Sequence, residues 1–142
     1  MRAAPSGRPA ATVPPVDLAN LADAEPFVTA DGSTIRELAG RVALPAAHQS
    51  LAEATVPVGR ATISHYHVQA EELYFFTAGS GRLRIGDDER DVRAGDCAVI
   101  PPGAEHKLHN TGDEPLVLLC CCSPAYSHED TVLTEEPAPD GP

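Results

Sequence analysis

Two stretches of short, alternating, glycine-bounded sequence constrain this chain more than anything else in it. One, GRATISHYHVQAEELYFFTAG, runs from Gly59 to Gly79; the other, GDCAVIPPGAEHKLHN, from Gly95 to Asn110. Both are β-type, alternating with period two, and Gly or Pro cuts them where turns are required. Runs of the same texture flank them: HQSLAEATV, GRLRIG, ERDVRAG and LVLLCCC. Gly86 with Asp87 and Asp88 marks a tight hairpin between GRLRI and ERDV. Many short strands at close spacing indicate a sandwich or a barrel.

The two stretches also carry chemistry. A strand points alternate side chains to one face, so His65 and His67 project together from ATISHYH. Glu72 begins the next strand, with Tyr74 and Phe76 on the same face. His106 follows the Pro101, Pro102, Gly103 turn and must come from elsewhere in the barrel. Three neutral imidazoles and one carboxylate suit a divalent Fe, Mn, Ni, Cu, Co or Zn ion and leave coordination positions open. Tyr74 is the candidate for the cavity as a proton donor, against a reading as a core aromatic. Tyr66, between the two histidines, should point outward, and His109, three residues after His106, turns to the opposite face.

Set against known families, the paired stretches resemble the two motifs of the cupin superfamily. The first pattern is Gly, five residues, His-x-His, three or four residues, Glu, six residues, Gly. Gly59, His65, His67, Glu72 and Gly79 satisfy it. The second is Gly, five residues, Pro-x-Gly, two residues, His, three residues, Asn, satisfied by Gly95, Pro101, Gly103, His106 and Asn110. The fifteen residues between the motifs match the short spacer of small single-domain cupins. The resemblance covers about residues 41–125. It implies an all-β double-stranded β-helix, or jelly-roll barrel, with His65, His67, Glu72 and His106 as metal ligands. The six-residue gap to Gly79 selects Glu72 over Glu71.

A chain of 142 residues suffices for one domain with a real core. The organisation expected is a Pro- and Ala-rich arm over 1–25, a barrel over 26–134, and a loose acidic, Pro-rich tail over 135–142. Within the arm, VDLANLADA has the character of one short helical turn. Asp31, Ser33 or Thr34 would cap a short helix through Ile35, Arg36, Glu37 and Leu38, ended by Gly40. His48 and Gln49 are weaker candidates for the pocket mouth. Arg82 and Arg84 are read as solvated or paired with acids. The segment SPAYSHED is read as a surface loop, with folding over the barrel mouth as the alternative.

Ten Lys plus Arg stand against 21 Asp plus Glu, a formal charge of −11, which argues against nucleic acid and against anionic membranes. No run approaches the roughly 18 consecutive apolar residues of a membrane helix. The N-terminus lacks the apolar h-region of a secretory signal, so a cytoplasmic protein is expected. Cys97, Cys120, Cys121 and Cys122 form no C-x-x-C pair and read as reduced thiols. In LVLLCCC they serve mainly as small core residues, with a thiol near the metal as the alternative.

These readings lead to a metal-dependent enzyme acting on a small metabolite, with Glu72 and Tyr74 as catalytic candidates. Three His and one Glu resemble the metal site of dioxygenases in this superfamily, which leans the expectation to an oxygenase. Lyase, cyclase or isomerase chemistry stands close behind, and a binding or sensing protein is the alternative. Proteins of this family commonly pair, so a homodimer is expected.

Overall fold

The computed structural model describes residues 15–137, together with Gly7, Thr12 and Val13. The remainder of the expected arm and residues 138–142 of the tail lie outside the described residues. Among the described residues twelve strands follow one 3-10 turn at Leu21–Asp23, which is capped by the Asn20 side chain accepting from Ala22 N at 2.9 Å. The strands are β1 (Phe27–Val28), β2 (Thr34–Gly40), β3 (Leu44–Pro45), β4 (Ser50–Val56), β5 (His65–His67) and β6 (Glu71–Ala78). They continue as β7 (Ser80–Ile85), β8 (Asp88–Arg93), β9 (Cys97–Ile100), β10 (His106–Asn110), β11 (Leu116–Ser123) and β12 (Thr131–Leu133).

Two sheets face each other. One has the order β1-β2-β4-β11-β6-β9, with β3 paired to β2; the other has the order β12-β5-β10-β7-β8. All pairings but β2–β3 are antiparallel. This is the double-stranded β-helix that the motifs imply. Alternation fills the interior: on β6, Glu72, Tyr74 and Phe76 are buried while Glu71, Leu73 and Phe75 are exposed. Leu83 and Leu108 of the other sheet join the same core, with Ile100, Leu116 and Leu118 on the strands beside β6.

Two glycines place these strands. Gly86 begins the two-residue loop between paired Ile85 and Asp88, at φ 59°, where a side chain is strained. Gly79 has φ 83°, and a Cβ there would sit 2.6 Å from the Pro115 carbonyl oxygen. The link from β6 to β7, pressed against the start of β11, therefore excludes any larger residue.

The helix expected over residues 35–38 is instead strand β2. Thr34 and Ile35 pair with β1 on one side, and residues 34–39 pair with β4 on the other. Pairing on both edges overrides the local capping signal. The expected tail is also tied at its first residue, because Glu135 accepts from Ser64 N at 2.9 Å and pairs with Lys107. No helix among the described residues is long and apolar enough to cross a membrane.

Candidate metal centre

The four candidate ligands come from three strands and both sheets. His65 and His67 share the inner face of β5, and the β5–β10 pairing sets His106 directly opposite His65. Glu72 lies in the other sheet, reached through the corner at residues 68–70. The Asp130 carboxylate braces that corner by accepting from Gln69 N at 2.8 Å and Ala70 N at 3.0 Å. As a result, one ligand atom from each of His65, His67, Glu72 and His106 lies within 4.8 Å of the others, and all four residues are buried.

The hydrogen bonds around the rings fix which nitrogens face inward. His65 Nδ1 donates to the Ile63 carbonyl at 2.7 Å, and His106 Nδ1 to the Ala104 carbonyl at 2.9 Å. Thr131 Oγ1 spends its proton on the Ser127 carbonyl at 2.9 Å, so its oxygen accepts from His67 Nδ1 at 3.1 Å. Each Nε2 is thereby left with its lone pair aimed at the cluster, the state a metal requires.

Glu72 divides its oxygens. Oε2 accepts from the Cys122 thiol at 3.2 Å, whereas Oε1 faces His67 Nε2 at 3.3 Å and His106 Nε2 at 3.4 Å. Glu72 Oε1 and His106 Nε2 are buried with no hydrogen-bond partner. Orphaned buried polar atoms are costly, and atoms of ligand type converging at about 3 Å suit a cation with bonds of about 2 Å. The donor set thus fits a divalent transition metal. Burial alone would raise the Glu72 carboxyl, but the His106 and His67 imidazoles facing it hold it at about 2. Burial, then His106, lowers His65. Burial also opposes protonation of His67, yet the Glu72 carboxylate beside it lifts it above its ordinary value.

The cluster opens into a cavity between the sheets, with Tyr74, Leu108 and Leu118 among its walls. Tyr74 sits two residues beyond Glu72, its ring centroid 6.0 Å from that of His106. Burial, then the Glu72 charge, pushes its phenol well above the usual range, so it stays protonated. Glu71 and His109 are exposed and point away from the cluster, as expected. His48 and Gln49 are exposed and take no part in the cavity. Arg82 pairs with Asp91 and Glu89, and Arg84 with Glu105, both off the cavity wall.

Three features differ from the sequence reading. Cys122 and Cys120 line the cavity rather than serving only as packing, and Cys97 is exposed. SPAYSHED folds across the mouth: Tyr126 N donates to Ser50 Oγ at 2.9 Å, and the Tyr126 ring meets His67 edge-on at 5.9 Å. Burial raises the Tyr126 phenol to about 12. Asp31, expected as a helix cap, stands at the cavity wall with Oδ2 3.8 Å from His65 Nε2. No motif spacing marks Asp31; its Asp-Gly pair signals only a turn.

The fold and this cluster define a class, a small β-barrel protein with a three-histidine, one-carboxylate cluster able to hold a metal ion. The chain belongs to the cupin family: the family model described as a cupin domain matches residues 52–122. Among its relatives, an uncharacterized protein of Methanocaldococcus jannaschii is 45% identical over 111 residues, covering 78% of this chain and 89% of that one. Protein SchB of Streptomyces halstedii is 30% identical over 115 residues, covering 78% and 83%. The crystal structure of Lactobacillus farciminis oxalate decarboxylase in a formate complex superposes with a TM-score of 0.67 at 26% identity. That match covers 80% of this chain and 34% of the decarboxylase, so this chain spans about a third of it.

Proposed function

We propose that the chain is a metal-dependent enzyme that transforms a small organic molecule without net oxidation, as a lyase or isomerase of the cupin type. The observation that carries this reading is the pair of orphaned atoms, Glu72 Oε1 and His106 Nε2, in a cluster beside a cavity that Glu72, Asp31 and Tyr74 line. A divalent metal held by His65, His67, Glu72 and His106 would supply Lewis acidity, polarising a hydroxyl or carbonyl of the substrate. The chain's own groups then divide the remaining work. Tyr74, whose phenol burial keeps protonated at neutral pH, is a hydrogen-bond donor, while Asp31 offers an acceptor on the same cavity. The apolar walls and Tyr126 across the mouth exclude water from the reacting groups.

A second reading, an oxygenase, is favoured by the donor set, since three imidazoles and a carboxylate accept iron as readily as zinc. Against it, two thiols, Cys120 and Cys122, line the cavity. Thiols beside an oxygen-activating centre are exposed to stepwise oxidation. Elemental analysis of protein purified without added metal, followed by substrate screening with an oxygen electrode, separates the readings. Product formation without oxygen uptake supports the lyase or isomerase; oxygen uptake coupled to turnover supports the oxygenase. Full activity in metal-free protein would overturn both.

We also propose a homodimer. Leu73 and Phe75 on β6 and Val99 on the edge strand β9 place apolar side chains side by side on the outer face, 38%, 43% and 55% exposed. A second copy of the same face is the occupant of matching chemistry.

A further inference from the structure

The cavity is acidic in a way that decides which molecules it can accept. Among the described residues lining it there is no lysine and no arginine, but there are three carboxylates, Asp31, Glu37 and Glu72. The guanidinium nearest in sequence, Arg36, is engaged by Glu53 Oε1 at 2.6 Å and the Leu21 carbonyl at 3.0 Å, away from the cavity wall. With the imidazoles neutral, three carboxylates outnumber the two charges of a bound divalent cation. An incoming carboxylate or phosphate would meet no fork of donors and a net negative, partly dehydrated wall.

The carboxylates differ in what they can still do. Glu37 is occupied, because its Oε2 accepts from Val42 N at 2.8 Å and Ala43 N at 2.6 Å. Glu72 accepts from Cys122 on Oε2 and turns Oε1 to the histidine cluster. Asp31 is held on one oxygen and open on the other. Its Oδ1 accepts from Thr29 Oγ1 at 2.8 Å, Ser33 N at 2.9 Å and Ser33 Oγ at 2.6 Å. The Asp31 carbonyl accepts from Ile63 N at 2.7 Å, two residues before His65, which locks the loop to the strand that carries the cluster. Oδ2, 3.8 Å from His65 Nε2 and beyond hydrogen-bonding reach of it, has no donor among the described residues.

We infer that this cavity selects neutral or cationic molecules bearing hydroxyl or amine groups on neighbouring carbons, that it refuses carboxylates and phosphates, and that Asp31 is the specificity-determining residue. One donor of the ligand hydrogen-bonds to Asp31 Oδ2 while its neighbour faces the histidine cluster. The carbon skeleton lies against Ile35, Leu108 and Leu118, also part of the wall. The inference rests on the cavity being the substrate site, as proposed above. It separates this chain from the oxalate and formate named for its decarboxylase relative.

The test uses a matched series of small probes on the full chain loaded with zinc, its zinc content measured first. The probes are 1-amino-2-propanol, 1,2-propanediol and lactate, which share three carbons and a hydroxyl and differ in charge, with oxalate as a fourth. Affinities are read from amide shift titrations by NMR. The amine and the diol are expected to bind at least about tenfold more tightly than lactate or oxalate, the worth of one charge-assisted hydrogen bond. Asp31→Asn keeps the Oδ1 acceptor that holds the loop, so its melting temperature and zinc content should match wild type while the preference for the amine over lactate falls about tenfold. Lactate or oxalate binding as tightly as the amine, no detectable binding of the amine, or an unchanged ratio in Asp31→Asn would each overturn the inference. Repeating the titration on metal-free protein keeps the two proposals distinguishable. Failure to take up zinc, cobalt, manganese or iron defeats the metal-enzyme reading, while an Asp31-dependent preference for the amine still supports charge selection.

Discussion

The Cys122 thiol donates to Glu72 Oε2 across 3.2 Å, from β11 to β6. The two residues face each other in the strand register, Cys122 opposite Glu72, so the contact is built by sheet pairing. By occupying Oε2 it leaves Oε1 as the oxygen presented to His67 and His106. Partners of metal ligands commonly tune affinity by tenfold to a hundredfold. Cys122→Ala is therefore expected to lose metal to a competing chelator about tenfold more readily than wild type, whereas Cys122→Ser, which keeps a donor, stays within a few-fold. Equal metal retention in Cys122→Ala and wild type would remove the thiol from this role.

Why was this contact hidden in the sequence while the cluster around it was not? His65, His67 and Glu72 sit within eight residues, where strand alternation alone aligns them, and His106 is given by its motif. Cys122 lies fifty residues from Glu72, and only the β6–β11 register brings them together. Asp31 was missed for the same reason, since its approach to His65 depends on β2 pairing with β4 and on the bond from Ile63 N. Residues 35–38 read as a helix because their capping residues are local, whereas their partners on β4 lie 15 to 19 residues away (Ile35 with Ala54, Arg36 with Glu53, Glu37 with Ala52). What repeats within a strand was legible; what depends on which strands meet was not.

Metal removal should be visible in stability as well as in activity. A ligand that binds only the folded state, at a hundred times its dissociation constant, adds about 2.7 kcal/mol. For a chain of this size that is a rise of several degrees in melting temperature. Stripping the metal should remove it, and His106→Ala should show no metal-dependent rise at all. A melting temperature of wild type that ignores added zinc, cobalt, manganese and iron would count against a metal centre.

Glu135 gives the chain a titration outside the metal cluster. Its hydrogen bonds from Lys107 and from Ser64 N hold the carboxyl below its ordinary value, so the folded state favours the ionised form. The resulting stability is fully present above the ordinary carboxylate pKa and fades as pH falls through the lowered folded-state value. Because the Glu135 side chain is 39% exposed, its contribution is below about 1 kcal/mol. Denaturant titrations of wild type and Glu135→Gln should differ by that small amount at neutral pH and converge in strong acid. A gap that widens on acidification would contradict the assignment.

Pairing of two copies through the β6–β9 outer face predicts a solution mass of twice 14.9 kDa. Phe75, 43% exposed next to Leu73 on that face, is the largest of the three side chains, so a charge placed there should matter most. Phe75→Glu is expected to shift the light-scattering mass to that of a monomer, leaving metal content unchanged. A wild-type monomer across the micromolar range would dismiss the dimer.

Tyr74 joins the core to the cavity, and its two roles can be separated by substitution. Its ring is 3% exposed and packs edge-on against Phe76, with centroids 6.0 Å apart. Truncation to alanine should therefore cost about 3–5 kcal/mol, the range for a buried aromatic. Tyr74→Phe keeps the ring and removes only the hydroxyl, so stability should change by less than about 1 kcal/mol and zinc content not at all. If the hydroxyl faces the ligand, zinc-loaded Tyr74→Phe should bind 1,2-propanediol up to about tenfold more weakly, the cost of one lost hydrogen bond. Unchanged diol affinity beside an intact fold would mean that Tyr74 serves the core alone, leaving Asp31 and the metal cluster to hold the substrate.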